Sequence, residues 1–177
     1  MRRLALAALA LSIASGCASR EALWRYREEG TFGEGAPPLH AEPLGGGAEY
    51  RIVAATLGDA DLSVERSVAA VGDAPVRVDL GRVRLRSASG EELPLVRACL
   101  LEAAPRCAAG GASRGFVATL SPGEVVRFRA DFGPVEGLGP DRAPNPEVLK
   151  VTLAEEGVYV GGRLQPVTVV LERVPAR

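Results

Sequence analysis

From residue 48 onward the chain alternates between apolar and polar positions. Val76, Val78 and Leu80 are interleaved with Arg77 and Asp79, and Val83 and Leu85 with Arg82, Arg84 and Arg86. Val126, Phe128, Ala130 and Phe132 are interleaved with Arg127, Arg129 and Asp131, and Val167, Val169 and Leu171 with Thr168, Val170 and Glu172. A period of two places one row of side chains on a dry face and the other in water, which is the signature of a half-buried β-strand. Residues 50–57, 62–70, 93–101, 115–120 and 148–154 carry the pattern less cleanly and are predicted as further strands. No long segment after Gly30 has a helical period.

The punctuation agrees with strands. Ser121-Pro122-Gly123-Glu124 sets proline at the second and glycine at the third position of a turn. That order suits type II, since proline fixes φ and glycine accepts a positive φ. Gly161-Gly162 between two apolar runs suits a two-residue hairpin loop. Gly72-Asp73-Ala74-Pro75 and Ser87-Ala88-Ser89-Gly90 break strands. The Pro-rich stretch 133–146 is the longest inter-strand connection, a Greek-key crossover or an exposed loop. Many short strands with frequent turns predict an all-β fold: a single antiparallel sandwich of about seven to nine strands over residues 48–177.

Ahead of that domain the chain divides in two. Residues 17–47 are predicted as a tether. Within them, ASREALWRYREE (18–29) could form a short helix, with Leu23, Trp24 and Arg27 on one side. GTFGEGAPPLHAEPLGGG (30–47) is rich in glycine and proline and holds the only histidine, His40, read as an exposed linker residue. Trp24 and Tyr26 either rest at a membrane interface or pack on the domain.

Residues 1–16 pair Arg2-Arg3 with an uncharged run from Leu4 to Ser15. That layout is a secretory signal peptide, too short for a membrane-spanning helix of about 20 residues. Its end, Ala14-Ser15-Gly16-Cys17, resembles the lipobox of bacterial lipoproteins. The resemblance implies cleavage before Cys17 and acylation of its thiol. Ala18-Ser19 lacks the aspartate that retains such proteins on the inner membrane of enteric-type bacteria, which points to the outer membrane, facing the periplasm or the cell surface. Cleavage near residue 18 by an ordinary signal peptidase would give a soluble periplasmic protein instead.

Cysteine arithmetic fits the first reading. Of three cysteines, lipidation of Cys17 leaves Cys99 and Cys107, an even pair in an oxidising compartment. The intervening LLEAAPR is long enough for a chain reversal, so a Cys99–Cys107 disulfide is expected.

Composition narrows the function. Loss of Arg2 and Arg3 leaves 19 basic residues against 22 acidic ones, a net charge of −3, without the basic excess of a nucleic-acid binder. Apart from Lys150 every basic residue is arginine, as in proteins of GC-rich genomes.

"LSVERSVAAVGDAPVRVDLGRVRLRSASGEELP" and "ATLSPGEVVRFRADF", followed by an apolar final strand, resemble the immunoglobulin-like sandwich domains of bacterial envelope lipoproteins. The resemblance covers roughly residues 48–174 and implies an adhesive, scaffolding or substrate-presenting module. It carries over no functional residue.

Catalytic chemistry finds little support. A Ser-His-Asp or Cys-His site needs an imidazole beside the nucleophile, the only histidine, His40, falls in the tether, and no G-x-S-x-G occurs. The residues for a zinc or copper cluster are missing, and Gly45-Gly46-Gly47 lacks the Lys-Ser/Thr of a phosphate loop. No cofactor is expected. Glu91-Glu92, Glu155-Glu156 and Asp59 with Asp61 read as solvated acids at turns, with Asp59 and Asp61 also capable of a partial calcium site. A hydrolase of envelope glycans would need two carboxylates facing across a cleft.

The arginines Arg77, Arg82, Arg84, Arg86, Arg97, Arg127 and Arg129 offer a partner surface, above all Arg82, Arg84, Arg86, Arg127 and Arg129. On one wetted face they could dock an anionic glycolipid or an acidic envelope protein. Alternatively they pair across strands with Asp79, Glu124 and Asp131. The expected function is a non-enzymatic binding or assembly module anchored to the membrane, with the glycan hydrolase as the competing class. The sequence sets no oligomeric state.

Overall fold

Alternation resolves into antiparallel strands throughout. A computed structural model describes residues 24–28, 38–58, 60–135 and 145–175. Its strands are β1 (Trp24–Glu28), β2 (His40–Leu44), β3 (Ala48–Leu57), β4 (Leu62–Ala70), β5 (Val76–Asp79), β6 (Val83–Arg86), β7 (Glu92–Leu93) and β8 (Leu95–Leu100). There follow β9 (Arg106–Ala109), β10 (Val117–Leu120), β11 (Val125–Phe132), β12 (Lys150–Glu155), β13 (Val158–Val160), β14 (Arg163–Leu164) and β15 (Val167–Pro175). The all-β sandwich is thus as expected, but the strand count exceeds seven to nine. Short pieces such as β7 and β14, and strands in the N-terminal region, make up the difference. The signal segment, Cys17 and Asp59 lie outside the described residues.

The strands form an 11-stranded sheet, ordered β7-β6-β12-β15-β1-β3-β4-β11-β8-β9 with β2 beside β3, and a 4-stranded sheet, β10-β5-β13-β14. Their packed faces enclose a core that includes Tyr50, Ile52, Leu57, Val64, Phe128, Phe132, Leu85, Leu153 and Leu171, each 0–1% exposed.

Two segments differ from the sequence reading. Residues 24–28, read as part of a helix, are β1, inserted between β15 and β3 with Arg25 opposite Val174 and Thr56. Residues 40–44, read as tether, are β2, with His40 opposite Ile52 and Leu44 opposite Ala48. Both lie along one edge of β3, so pairing partners distant in sequence override a weak local preference. Within β1, Tyr26 is buried and its hydroxyl donates to the Val148 carbonyl at 2.8 Å. Arg27 Nε donates to Glu172 at 2.7 Å.

The sheets meet at a bulge. β5 pairs with β13 and β6 with β12, so residues 76–86 run against 152–160 almost continuously. Asp79 N–H donates to the Gly157 carbonyl and Glu156 N–H to the Arg82 carbonyl, both at 2.8 Å. Leu80 and Gly81 are therefore extra residues with no counterpart, an enlarged β-bulge closed by the Arg82 N–H donating to the Asp79 carbonyl at 3.2 Å. Leu80 turns into the core. Gly81 passes so close to the next segment that a Cβ would lie 2.4 Å from the Ser113 carbonyl.

Candidate functional site

Arg66 occupies an inward position of β4, between Val64 and Val68, and is 0% exposed. It reaches Glu155 at the bulge, where Nη1 donates to Oε2. Phe128 supplies a ring face 4.5 Å from the guanidinium carbon. Glu155 Oε1 also accepts from the Gly157 amide at 3.0 Å. Burial pushes the Glu155 carboxyl up, opposed by the Arg66 charge and the Gly157 amide. The Tyr50 hydroxyl, Arg66 Nε and Arg66 Nη2 have no hydrogen-bond partner among the described residues. Glu155 and Glu156 are not the solvated pair of the sequence reading: Glu155 is buried, whereas Glu156 is half-buried and pairs with Arg84.

The arginine series falls into two groups. Arg82, Arg84 and Arg86 belong to β6 or its preceding turn, Arg127 and Arg129 to β11. In the sheet, β12, β15, β1, β3 and β4 stand between those strands. Arg82 pairs with Asp79 at 3.3 Å, Arg84 with Glu156 and Arg127 with Glu65. Asp131 receives Arg97 at 2.5 Å and Arg129 at 3.1 Å. Of the three acids expected to pair across strands, Asp131 does so with Arg97 of β8, whereas Asp79 holds Arg82 three residues on and Glu124 instead accepts from the Ser121 amide at 2.7 Å. Arg77 lies over the Tyr159 ring at 4.5 Å. Local acids match most of the positive charge where it stands.

The disulfide is as expected. Cys99 and Cys107 are directly opposed on β8 and β9, with S–S 2.09 Å and Cα–Cα 4.0 Å. Cys99 is buried and Cys107 exposed. His40 is not the free linker residue of the sequence reading. It is half-buried on β2, with Nδ1 3.1 Å from Glu28 and Nε2 3.4 Å from Glu42.

Two concavities remain. A cleft of about 380 Å³ lies under the short 3-10 helix Pro146–Val148, lined by Glu91, Glu92, Glu147, Ser87, Asn145 and Pro134 among others. The Ser89 hydroxyl holds the Glu147 carboxyl below its ordinary range by hydrogen bonding, with help from Ser87. No group of three metal-binding side chains occurs among the described residues.

The second concavity is a groove of about 450 Å³ beside β10. All four residues of β10 line it, with Val125 and Val126 of β11, Leu100 of β8, and Glu102, Arg106 and Glu124 at the rim. β10 pairs with β5 alone. Its other edge meets no backbone partner among the described residues. Val117 and Val125 are 39% and 64% exposed. Sequence reasoning missed this groove because no local motif encodes it; it arises where the rim of one sheet ends beside the face of the other.

No family model and no curated protein matches this sequence.

Proposed function

We propose that the protein is a non-enzymatic lipoprotein of the bacterial envelope, anchored through Cys17, whose immunoglobulin-like domain is a binding or assembly module. The single observation that carries the binding role is the groove beside the unpaired edge of β10. The signal layout and the Ala14-Ser15-Gly16-Cys17 match support the anchor. The paired arginines direct attention away from an anionic glycolipid and toward a partner protein.

Two experiments test the reading. Intact mass of protein taken from membranes without reductant should equal residues 17–177 plus a diacylglyceryl group and a further acyl chain, less two hydrogens for the disulfide. An unmodified chain cut near residue 18 would replace the anchored protein with a soluble periplasmic one. A photo-crosslinking residue at Val117 should trap one defined envelope protein in cells, and the same probe at Arg163 should not.

A second reading, a carboxylate-dependent hydrolase of envelope glycans, is favoured by one observation: Glu91, Glu92 and Glu147 share the smaller cleft. An ionised Glu147 suits a base, whereas glycoside cleavage also needs a protonated partner. Release of soluble sugars from purified envelope glycan by the wild type, abolished in Glu147→Gln and Glu92→Gln, would establish it.

A further inference from the structure

We propose that the groove takes an extended peptide segment of a partner protein, added along the free edge of β10 as another strand of the 4-stranded sheet. This rests on reading the domain as a binding module. The edge itself specifies the occupant. Its outward N–H and C=O groups alternate at strand spacing, and the complement of that row is the backbone of another extended chain.

β10 also differs from the other edges. β9 carries Arg106 and is clamped by the disulfide, and β14 is two residues long with Arg163. β7 is two residues long and runs into Pro94, and β2 contains Glu42 and Pro43. Charge, proline and shortness are the devices by which sheets block unwanted strand pairing. β10, Val-Ala-Thr-Leu, has neither charge nor proline.

The adjoining surface suits a strand. An extended segment turns alternate side chains to opposite sides. One row would lie on Leu100 and Val126, the other outside the sheet. About 450 Å³ lies within the roughly 300–1,000 Å³ range of ligand sites. An edge of four residues is about 13 Å long. Abutted on a second copy, it would bury far less than the roughly 1,600 Å² of a stable interface, so a second copy is not the occupant. At the rim, Arg106 pairs with Glu102 at 3.2 Å, leaving the Glu124 carboxylate in excess. The favoured segment is therefore apolar at alternate positions with a Lys or Arg near one end.

The test uses the full chain in detergent and a phage-displayed library of random octapeptides. Selected peptides should show that alternation and basic end. They should slow hydrogen exchange at alternate amides of β10 only. N-methylation at every second peptide amide should abolish binding in one phase and leave it intact in the other. Thr119→Lys, an exposed change, should weaken binding about tenfold or more without moving Tm. Failure to select any peptide, or peptides indifferent to Thr119→Lys and to N-methylation, overturns strand addition. A dimer that Thr119→Lys converts to monomer overturns it in favour of a second copy. If strand addition fails while the Val117 crosslink in cells persists, the binding-module reading stands with a folded partner surface. If both fail, both readings fall.

Discussion

Arg66 and Glu155, 89 residues apart in sequence, form an ion pair in the middle of the sandwich with neither side chain more than 1% exposed. Removing one partner from such a pair leaves an uncompensated charge in the core. Arg66→Met or Glu155→Leu is expected to cost about 3–5 kcal/mol. The double change Arg66→Met with Glu155→Leu removes both charges and is expected to be less destabilised than either single variant. Urea denaturation of the four proteins gives the coupling directly.

Alkaline pH should unfold the protein through two phenols. Burial pushes the Tyr26 hydroxyl up, partly offset by Arg173. Burial pushes Tyr50 up as well, reinforced by Glu155 and opposed by Arg66. Both folded values lie above the unfolded one of about 10. Their contribution is therefore complete below that value and is lost as the pH rises above it. Phenolate absorbance should show both groups ionising only as the strands melt. Tyr26→Phe and Tyr50→Phe should each flatten the alkaline loss. At neutral pH Tyr26→Phe should cost about 1 kcal/mol, the hydrogen bond to Val148, whereas Tyr50→Phe should be near neutral because its hydroxyl has no such bond.

The disulfide holds a strand with little else to hold it. No residue of β9 is fully buried. Cys99→Ala with Cys107→Ala should lower stability by about 2–3 kcal/mol, the loop-closure value for so short a ring. Amides of β9 should exchange first, well ahead of those of β11, in native-state hydrogen exchange.

Gly81 and Gly90 separate two kinds of glycine. A Cβ at Gly81 would meet the Ser113 backbone at 2.4 Å, so Gly81→Ala must move a segment and should cost about 1–3 kcal/mol or more. At Gly90 nothing lies within 4 Å, but φ is +88°. Gly90→Ala should cost only the left-handed backbone penalty, about 1–2 kcal/mol. Thermal unfolding of the two variants side by side checks the difference.

Strands with a regular apolar row were legible in sequence, as Val167, Val169 and Leu171 show by being buried in turn. Two strands read less cleanly, for physical reasons. In β3 a bulge near Val53 moves the buried set from Tyr50 and Ile52 to Ala55 and Leu57, so the period slips midway. In β4 the inward row Leu62, Val64, Val68 and Ala70 is interrupted by Arg66, whose charge masks the pattern until its partner is known. β1 was hidden because Trp-Arg-Tyr-Arg-Glu becomes a strand only between β15 and β3. The groove depends on where two sheets end relative to each other, and no local pattern reports that.

The insertion of β1 shortens the leash. If Cys17 carries the proposed lipid anchor, the chain joins the sheet at Trp24 after a reach of at most about 25 Å. Trp24 stands at the end of the sheet marked by Leu57 and Leu62. Val125 lies beside Ala69 at the opposite end, eight residues along β3 from Leu57 to Glu49, or about 27 Å away. The acidic cleft near Pro134 and Val135 would then lie at the end of the domain nearer that attachment, and the β10 groove at the end farther from it. A partner would be met on the side facing away from the anchoring membrane.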